Sequence, residues 1–554
     1  MNWLRQYRRD LLAGDIGAGI IVAFMLIPQG MAYALVAGLP PVTGLYASIL
    51  PALAYALFGS SMVQSVGPMA ITSLMVGTSI GALAAVGTPL YQLLSQQLAL
   101  AAGVVLFVCG VLRLGFLSNF FSRPVMSGFT SGAAVVIALG QCKSLLGMAQ
   151  GSNLSAVNAP SAALGLASLA LLVLARYGLP ALLAHTKGWV ADVLPKMAPI
   201  VVIVGAAIVV AVWGLQAMGV QTVGAIPVGL AAIGFTPSAE HWRSLLLPAL
   251  AIGFMVFLAS QSAAQSLAQK RDERINTNQE LLGLGAANLA SAVSGGFVVT
   301  GSISRSAVNY SAGANTPLAS LISAALIGIV LCVPNAWLST LPTPALAATI
   351  IVAVVGMVDL PTLVQCWRHD RSDAATLIAT AAGVLLIGVE EGVVVGVVLS
   401  FASLVWRSSR PHIAIIGRMP GTEHFRNIER YAVETLPGVL MLRIDSAMVF
   451  NNTDSVIERI EHELRLGGLN LKHLVLVLSA VNMVDTTALL ALTELNKQMR
   501  AQKRCLHLCE IRGPVMDRLK HSALVDRELT GQVFLSAAQA YEYFSTSVVQ
   551  QQTL

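Results

Sequence analysis

Charge is scarce in this chain. Only 11% of its 554 residues are Asp, Glu, Lys or Arg, against 56% hydrophobic residues and a mean hydropathy of +0.74. That balance excludes an ordinary soluble globular protein. Cysteine is sparse too, with six residues scattered along the chain. Cys109, Cys142, Cys332 and Cys366 lie in or near apolar segments and read as small core residues. Cys505 and Cys509 stand four apart on an expected strand, too distant to share a metal. Catalytic patterns are also missing. No HExxH, P-loop or zinc spacing occurs, the apolar part shows no nucleophile–base pair, and no motif of an ATP-driven pump is present. These absences argue against an enzyme, imply no cofactor or metal, and leave gradients as the energy source. The net charge of +6 is modest and lies mostly in loops. It speaks for membrane orientation and against a nucleic-acid partner. The basic start (Arg5, Arg8, Arg9) runs into apolar sequence without a small-residue cleavage site, so no cleavable signal peptide is expected.

What charge there is lies unevenly. Residues 1–406 hold 16 Lys+Arg and 12 Asp+Glu, and the 148 residues that follow hold 17 and 15. The first part reads as embedded in a lipid bilayer, 407–436 as a polar linker, and 437–554 as a soluble domain. Apolar segments fall near 13–35, 42–58, 67–85, 94–116, 124–146, 161–182, 198–218, 245–268, 279–294, 303–312, 316–333, 345–358, 374–389 and 391–406. Several of these fourteen are shorter than the ~20 residues of a straight spanning helix. With the N-terminus in the cytoplasm and loops alternating, thirteen basic residues fall inside and only Lys143 and Arg243 outside. That asymmetry predicts an even number of spans with both ends cytoplasmic.

Arg305 belongs to neither side. It is the one basic residue between Arg274 and Arg368, in the Gly/Ser-rich break Gly295-Gly-Phe-Val-Val-Thr-Gly-Ser-Ile-Ser-Arg-Ser306. A cation at membrane depth is costly and marks function. The first half holds a comparable break, Ser65-Val-Gly-Pro-Met-Ala-Ile-Thr72. Each precedes the third segment of its half, and seven plus seven segments imply two repeats of opposite orientation. Paired interrupted segments point to a transporter's binding site. Helix N-termini at both breaks would offer free N–H groups to an anion. Pro68 suits the first turn of one helix, Ser302 and Ser304 add hydroxyls, and Arg305 adds charge. The pattern favours small oxyanions.

In the soluble part, Val439–Asp445, Leu474–Leu478 and Cys505–Ile511 read as strands. Residues 454–466, 487–500 and 514–522 read as helices, the first capped by Asn451-Asn-Thr-Asp454. The alternation predicts a small α/β domain around a largely parallel sheet.

A resemblance joins these pieces. Gly38-Leu-Pro-Pro-Val-Thr-Gly-Leu-Tyr-Ala-Ser48, Tyr55-Ala-Leu-Phe-Gly-Ser-Ser61 and Ser65-Val-Gly-Pro68 resemble the signature of the sulfate permease family of anion transporters. So do Ile275-Asn-Thr-Asn-Gln-Glu-Leu281 and Val299-Thr-Gly-Ser-Ile-Ser-Arg-Ser-Ala-Val-Asn-Tyr-Ser-Ala-Gly-Ala-Asn-Thr-Pro317. The C-terminal part resembles the family's STAS domain. The resemblance implies fourteen helices as two inverted repeats forming core and gate domains, an elevator-like motion, a homodimer and a bacterial inner membrane location. It also implies a site lined by Gln29, Tyr33, Met69, Ala70, Ser304 and Arg305. Sulfate is the family default; bicarbonate, chloride and dicarboxylates compete with it. A rival reading is a membrane-anchored regulator with the STAS domain as its output and a cytoplasmic protein as that domain's partner.

Three positions depart from the family pattern. Thr43 stands where many members have Tyr, and Met62 where they have a basic residue. Ala259, in Leu258-Ala-Ser-Gln-Ser-Ala-Ala-Gln265, replaces an acidic residue implicated in proton or sodium coupling, and a methyl group binds neither ion. The remaining acids, Asp15, Glu280, Asp359, Glu390 and Glu391, read as helix-end caps. In Val484-Asp-Thr-Thr-Ala488, Thr486 matches the phosphorylated position of related bacterial regulators. Asp485 and Thr486 also read as a plain capping turn.

Overall fold

Polar groups are buried and apolar ones exposed along the first part of the chain. Asp15, Glu280 and Asn288 have no exposed surface. Leu139, Val212, Leu247 and Leu386 are between 65% and 84% exposed. Such a surface is unfavourable in water and suited to lipid. This computed structural model describes residues 3, 7–116, 122–148, 157–182, 189–224, 226–234, 240–334, 336–522 and 524–552. They form two compact units, Met1–Ser400 and Phe401–Leu554.

The helical part runs α1 (Leu12–Val36), α2 (Pro41–Tyr46), α3 (Leu50–Phe58), β1 (Val66–Gly67), α4 (Ala70–Gly81), α5 (Pro89–Val111), α6 (Arg123–Leu145), α7 (Ala159–Leu182), α8 (Trp189–Trp213), α9 (Trp242–Arg271), α10 (Thr277–Val293), β2 (Thr300–Gly301), α11 (Ile303–Ser311), α12 (Leu318–Cys332), α13 (Ala336–Ser339), α14 (Thr343–Val355), α15 (Leu360–His369), α16 (Arg371–Leu386) and α17 (Val389–Ser409). Among the described residues, seven stretches are helical, long and apolar enough to cross a bilayer, and shorter apolar helices lie between them. The segment expected near 303–312 is a helix of nine residues. At 1.5 Å per residue it cannot span by itself.

Helix starts follow local chemistry. Proline occupies the first turn of α2, α3, α5, α6, α14 and α15, where a missing N–H costs nothing. Asp359 caps α15 through the Thr362 N–H at 3.1 Å. Asp15 accepts from the N–H groups of Asn315 and Thr316 at 2.7 and 3.0 Å, just ahead of α12. Small residues let helices touch: a Cβ on Gly44 would stand 1.9 Å from the Gly30 carbonyl oxygen, so α1 and α2 cross backbone to backbone.

The second unit is a six-stranded sheet flanked by helices. Its elements are β3 (Ile413–Arg418), β4 (Phe425–Asn427), β5 (Val439–Ile444), α18 (Thr453–Leu466), β6 (His473–Val477), α19 (Thr486–Ala501), β7 (Cys505–Cys509), α20 (Gly513–Lys520), β8 (Val533–Phe534) and α21 (Ala537–Gln552). The strand order is β4-β3-β5-β6-β7-β8, with β5 to β8 parallel and β3 antiparallel to both neighbours. The stretch expected as linker, 407–436, therefore carries two strands of the sheet. Its Pro and Gly residues bound short strands, and polar flanks hide the Ile-Ala-Ile-Ile run of β3. Asn452 sits at the start of α18 but turns back. Its Oδ1 accepts from the Val449 N–H at 3.0 Å, and no side chain caps the helix.

Candidate anion site

The two breaks meet. Val66 pairs with Gly301 and Gly67 with Thr300 in a two-stranded antiparallel ladder. The Ser302 N–H extends it to the Ser65 carbonyl at 3.2 Å. Side chains hold both strands from outside. Asn288 on α10 takes the place of a missing third strand, accepting from the Val299 N–H at 2.9 Å and donating to its carbonyl at 3.0 Å. Thr300 Oγ1 donates to the Val256 carbonyl at 2.9 Å, and Asn309 Nδ2 to that of Val63 at 2.9 Å. Neither break is a loose loop, because these backbone groups at both strands have partners.

A helix starts directly after each strand. Met69, extended at φ −141° and ψ 146°, precedes α4, and no side chain caps it. Ser302 precedes α11, and its Oγ accepts a long bond from the Arg305 N–H at 3.5 Å. First-turn N–H groups at both starts have no intrahelical partner. Pro68, expected in the first turn of α4, lies ahead of it, because β1 takes up Val66 and Gly67 and the helix opens only at Ala70. Its carbonyl serves as an acceptor instead.

That acceptor belongs to Arg305. Arg305 is 1% exposed. Its Nε donates to Ser65 Oγ at 3.2 Å and one terminal nitrogen to the Pro68 carbonyl at 3.0 Å. Both bonds reach across to the other break. The second terminal nitrogen, NH2, is buried and has no hydrogen-bond partner. No ion pair is formed by Arg305 among the described residues. NH2 lies beside Gly67, 3.3 Å from where a Cβ on that glycine would stand. A buried cation with free donors is expensive, and a bound anion would offset that cost.

The other expected site residues gather unevenly around it. Tyr33 and Ala70 share one buried apolar cluster, with Met69 packed against it. Gln29 is half-buried one turn before Tyr33 on α1, and α1 packs on both α4 and α11. Ser304 is exposed on the first turn of α11, its Oγ 3.3 Å from Ser302 Oγ.

Residues 12–380 match the sulfate permease family and 430–540 the STAS domain. The chain belongs to the sulfate permease family. It is similar to a sulfate transporter 4.1 of Arabidopsis thaliana chloroplasts, 35% identical over 90% of this chain and 76% of that protein. A probable sulfate transporter of Mycobacterium tuberculosis is 34% identical over 98% of this chain and 96% of its own length. Among solved structures, murine solute carrier 26 member A9, an anion transporter in its inward-facing state, aligns with TM-score 0.90 at 23% identity, covering 98% and 93% of the two chains. The membrane domain of a cyanobacterial bicarbonate transporter aligns over 70% of this chain and 98% of its own, with TM-score 0.61 at 20% identity. These structural likenesses show the fold: a helical membrane part in both, and in the first a match that extends through the C-terminal unit.

In the STAS part of this sulfate permease relative, Asp485 is a capping residue. It accepts from the Ala488 N–H at 2.9 Å at the start of α19 and from the Phe450 N–H at 2.7 Å. Thr486 is exposed at the first helical position. Cys505 sits beside His473 and His507, with donor atoms within 4.8 Å of one another. His507 Nδ1 accepts the Gln532 N–H at 3.0 Å. Its proton therefore sits on Nε2, which faces His473 Nδ1 at 3.2 Å. The imidazole lone pairs are taken up by protein donors, so the cluster does not fit a metal. Sequence reasoning missed Ser306, whose Oγ accepts from the Ser65 N–H at 2.9 Å, and also Asn288 and Asn309. Their residue types are common, and only the fold brings them to the breaks.

Proposed function

We propose that this chain is a secondary transporter of small oxyanions, sulfate first, and that the anion lies between the N-termini of α4 and α11 against Arg305. The observation that carries this reading is the buried, unpartnered NH2 of Arg305 at the paired breaks. Gln29, Tyr33, Met69, Ala70 and Ser304 complete the proposed lining. Each anion oxygen would accept from guanidinium or first-turn N–H groups, and a tetrahedral oxyanion uses several such donors at once. Relatives named as sulfate transporters at 34–35% identity support sulfate as the substrate.

The same reading takes the membrane part as fourteen segments in two inverted repeats, forming core and gate domains that move in an elevator-like fashion. It places a homodimer in the bacterial inner membrane with both termini cytoplasmic, in keeping with the thirteen-to-two bias of basic residues. Residues 437–554 are the proposed STAS domain, with Thr486 as a position where a phosphate would meet a helix N-terminus. Radiolabelled sulfate uptake into liposomes holding the purified protein tests the substrate. Saturable uptake is expected, displaced by unlabelled sulfate more strongly than by bicarbonate, chloride or fumarate. Uptake no faster than in empty liposomes contradicts the reading.

A further inference from the structure

A second buried polar chain leads away from the paired breaks, and its hydrogens can be counted. It runs from Gln64, next to Ser65, to Tyr55 on α3 and Glu280 on α10. Gln64 Nε2 donates to the Ser260 carbonyl at 3.1 Å. With the amide assigned so that Nε2 donates to this carbonyl, and to Ser260 Oγ at 2.5 Å, its oxygen is turned the other way. Gln64 Oε1 then faces Tyr55 Oη at 2.7 Å. Oε1 only accepts, so Tyr55 gives its single proton to Gln64. Tyr55 Oη also lies 2.8 Å from Glu280 Oε2 and 2.9 Å from Oε1. With no second proton to offer, the phenol oxygen can only accept from Glu280.

The other side of the carboxyl group completes the count. Glu280 Oε1 accepts from the N–H groups of Ser60 and Ser61 at 2.9 and 3.1 Å and from the Ser60 hydroxyl at 2.7 Å. That leaves Oε1 as the acceptor of these three donors and Oε2 as the oxygen that would carry a hydrogen toward Tyr55. Asp15 differs in that both its oxygens accept, Oδ1 from the Asn315 and Thr316 N–H groups and Oδ2 from the Thr316 hydroxyl at 2.6 Å. Titratable groups on the helices packed against α10 are Tyr55 on α3, Tyr91 and Cys109 on α5, and Arg243, Lys270 and Arg271 near the ends of α9. Among the described residues, only Tyr55 of these bonds to Glu280, and no cation pairs with it.

We propose that Glu280 is a proton-binding site, occupied in this conformation and linked through Tyr55 and Gln64 to the paired breaks. The link to transport rests on the function proposed above. Ionising Glu280 would draw the Tyr55 proton to the carboxylate and leave Gln64 Oε1 buried without a donor. Gln64 fits tightly, since its Nε2 fills the space a Cβ on Gly301 would need. Its neighbour Ser65 accepts from Arg305 Nε. Proton release therefore disfavours the arrangement of residues 64 and 65 that holds Arg305. Gln64 is anchored on Ser260, one residue after Ala259. Glu280 thus offers a protonatable group where Ala259 has none, and uptake should respond to a pH gradient by this second route.

The test uses the purified full-length protein in liposomes, with sulfate uptake measured at equal pH and with the outside acidic, alongside difference infrared spectroscopy. The acidic gradient is expected to raise the initial rate several-fold in the wild type. In Glu280→Gln, whose amide mimics the protonated acid without releasing a proton, the ratio should fall to near one. A protonated-carboxyl band should be present at neutral pH in the wild type and absent in Glu280→Gln. In Tyr55→Phe, which removes its acceptor, the band should shift; that shift decides the matter if Glu280→Gln fails to fold. A wild-type ratio of one, an unchanged ratio in Glu280→Gln, or a carboxyl band untouched by both substitutions overturns the proposal. The infrared arm needs no transport. A band lost in Glu280→Gln with no sulfate uptake in the wild type would support the proton site and contradict the transport reading instead.

Discussion

Arg305 stands out because charge is rare around it, and single substitutions beside it probe what it holds. At Gly67, a methyl group would meet NH2 at 3.3 Å and Leu26 Cδ1 at 3.5 Å. Gly67→Ala should fold, push the guanidinium aside by a few tenths of an ångström and weaken anion binding. Sulfate titration by calorimetry would show this as a raised Kd. At Gly301 the methyl group would overlap Gln64 Nε2 at 1.6 Å. Gly301→Ala should cost stability as well, roughly 1–3 kcal/mol for overpacking, seen as a lowered Tm in detergent. A Gly301→Ala protein as stable as the wild type would contradict the packing described. Arg305, Gly67 and Ser304 were legible in the sequence because a lone cation and Gly/Ser breaks are rare in apolar segments. Glu280 was legible only as an acid at a helix start. Its partners Tyr55, Ser60 and Gln64 lie more than two hundred residues away in the chain, and no local pattern announces them.

Among elements, the breaks were recognisable from Gly, Pro and Ser, but their pairing as β1 and β2 was not. Two residues per strand are too few to show a period of two. β3 was hidden by its polar flanks, β4 has only three residues, and α15 falls between the apolar segments expected at 345–358 and 374–389. Its Leu360, Val364 and Trp367 are exposed along about two turns, with Arg368 and His369 at its end, as suits a helix lying at a membrane surface. The β6–β7 pair allows a pH prediction. Burial holds His507 down to about 4, against 6.5 for an ordinary histidine. Between these values the unfolded chain binds a proton that the folded chain does not. Stability is therefore complete above pH 6.5 and declines as pH falls toward 4, by roughly 3 kcal/mol at most. Hydrogen exchange at the β6 and β7 amides, corrected for intrinsic rates, should show protection falling over that window. Constant protection from pH 7 to 4 would contradict it.

At the scale of the whole molecule, class and family were readable early. Two charge densities marked two parts, and long apolar segments marked the membrane. The structure adds the geometry behind the proposed site: two short helices that cannot span alone start from one shared ladder, and one arginine ties both breaks together. Initial sulfate uptake by liposomes reconstituted with Arg305→Ala, with equal protein and an unchanged elution profile, tests this most directly. Removing a charged donor of this kind costs roughly 1.5–3 kcal/mol, about ten- to a hundredfold. The account predicts saturable uptake reduced at least to that extent, and uptake at the wild-type rate would contradict it.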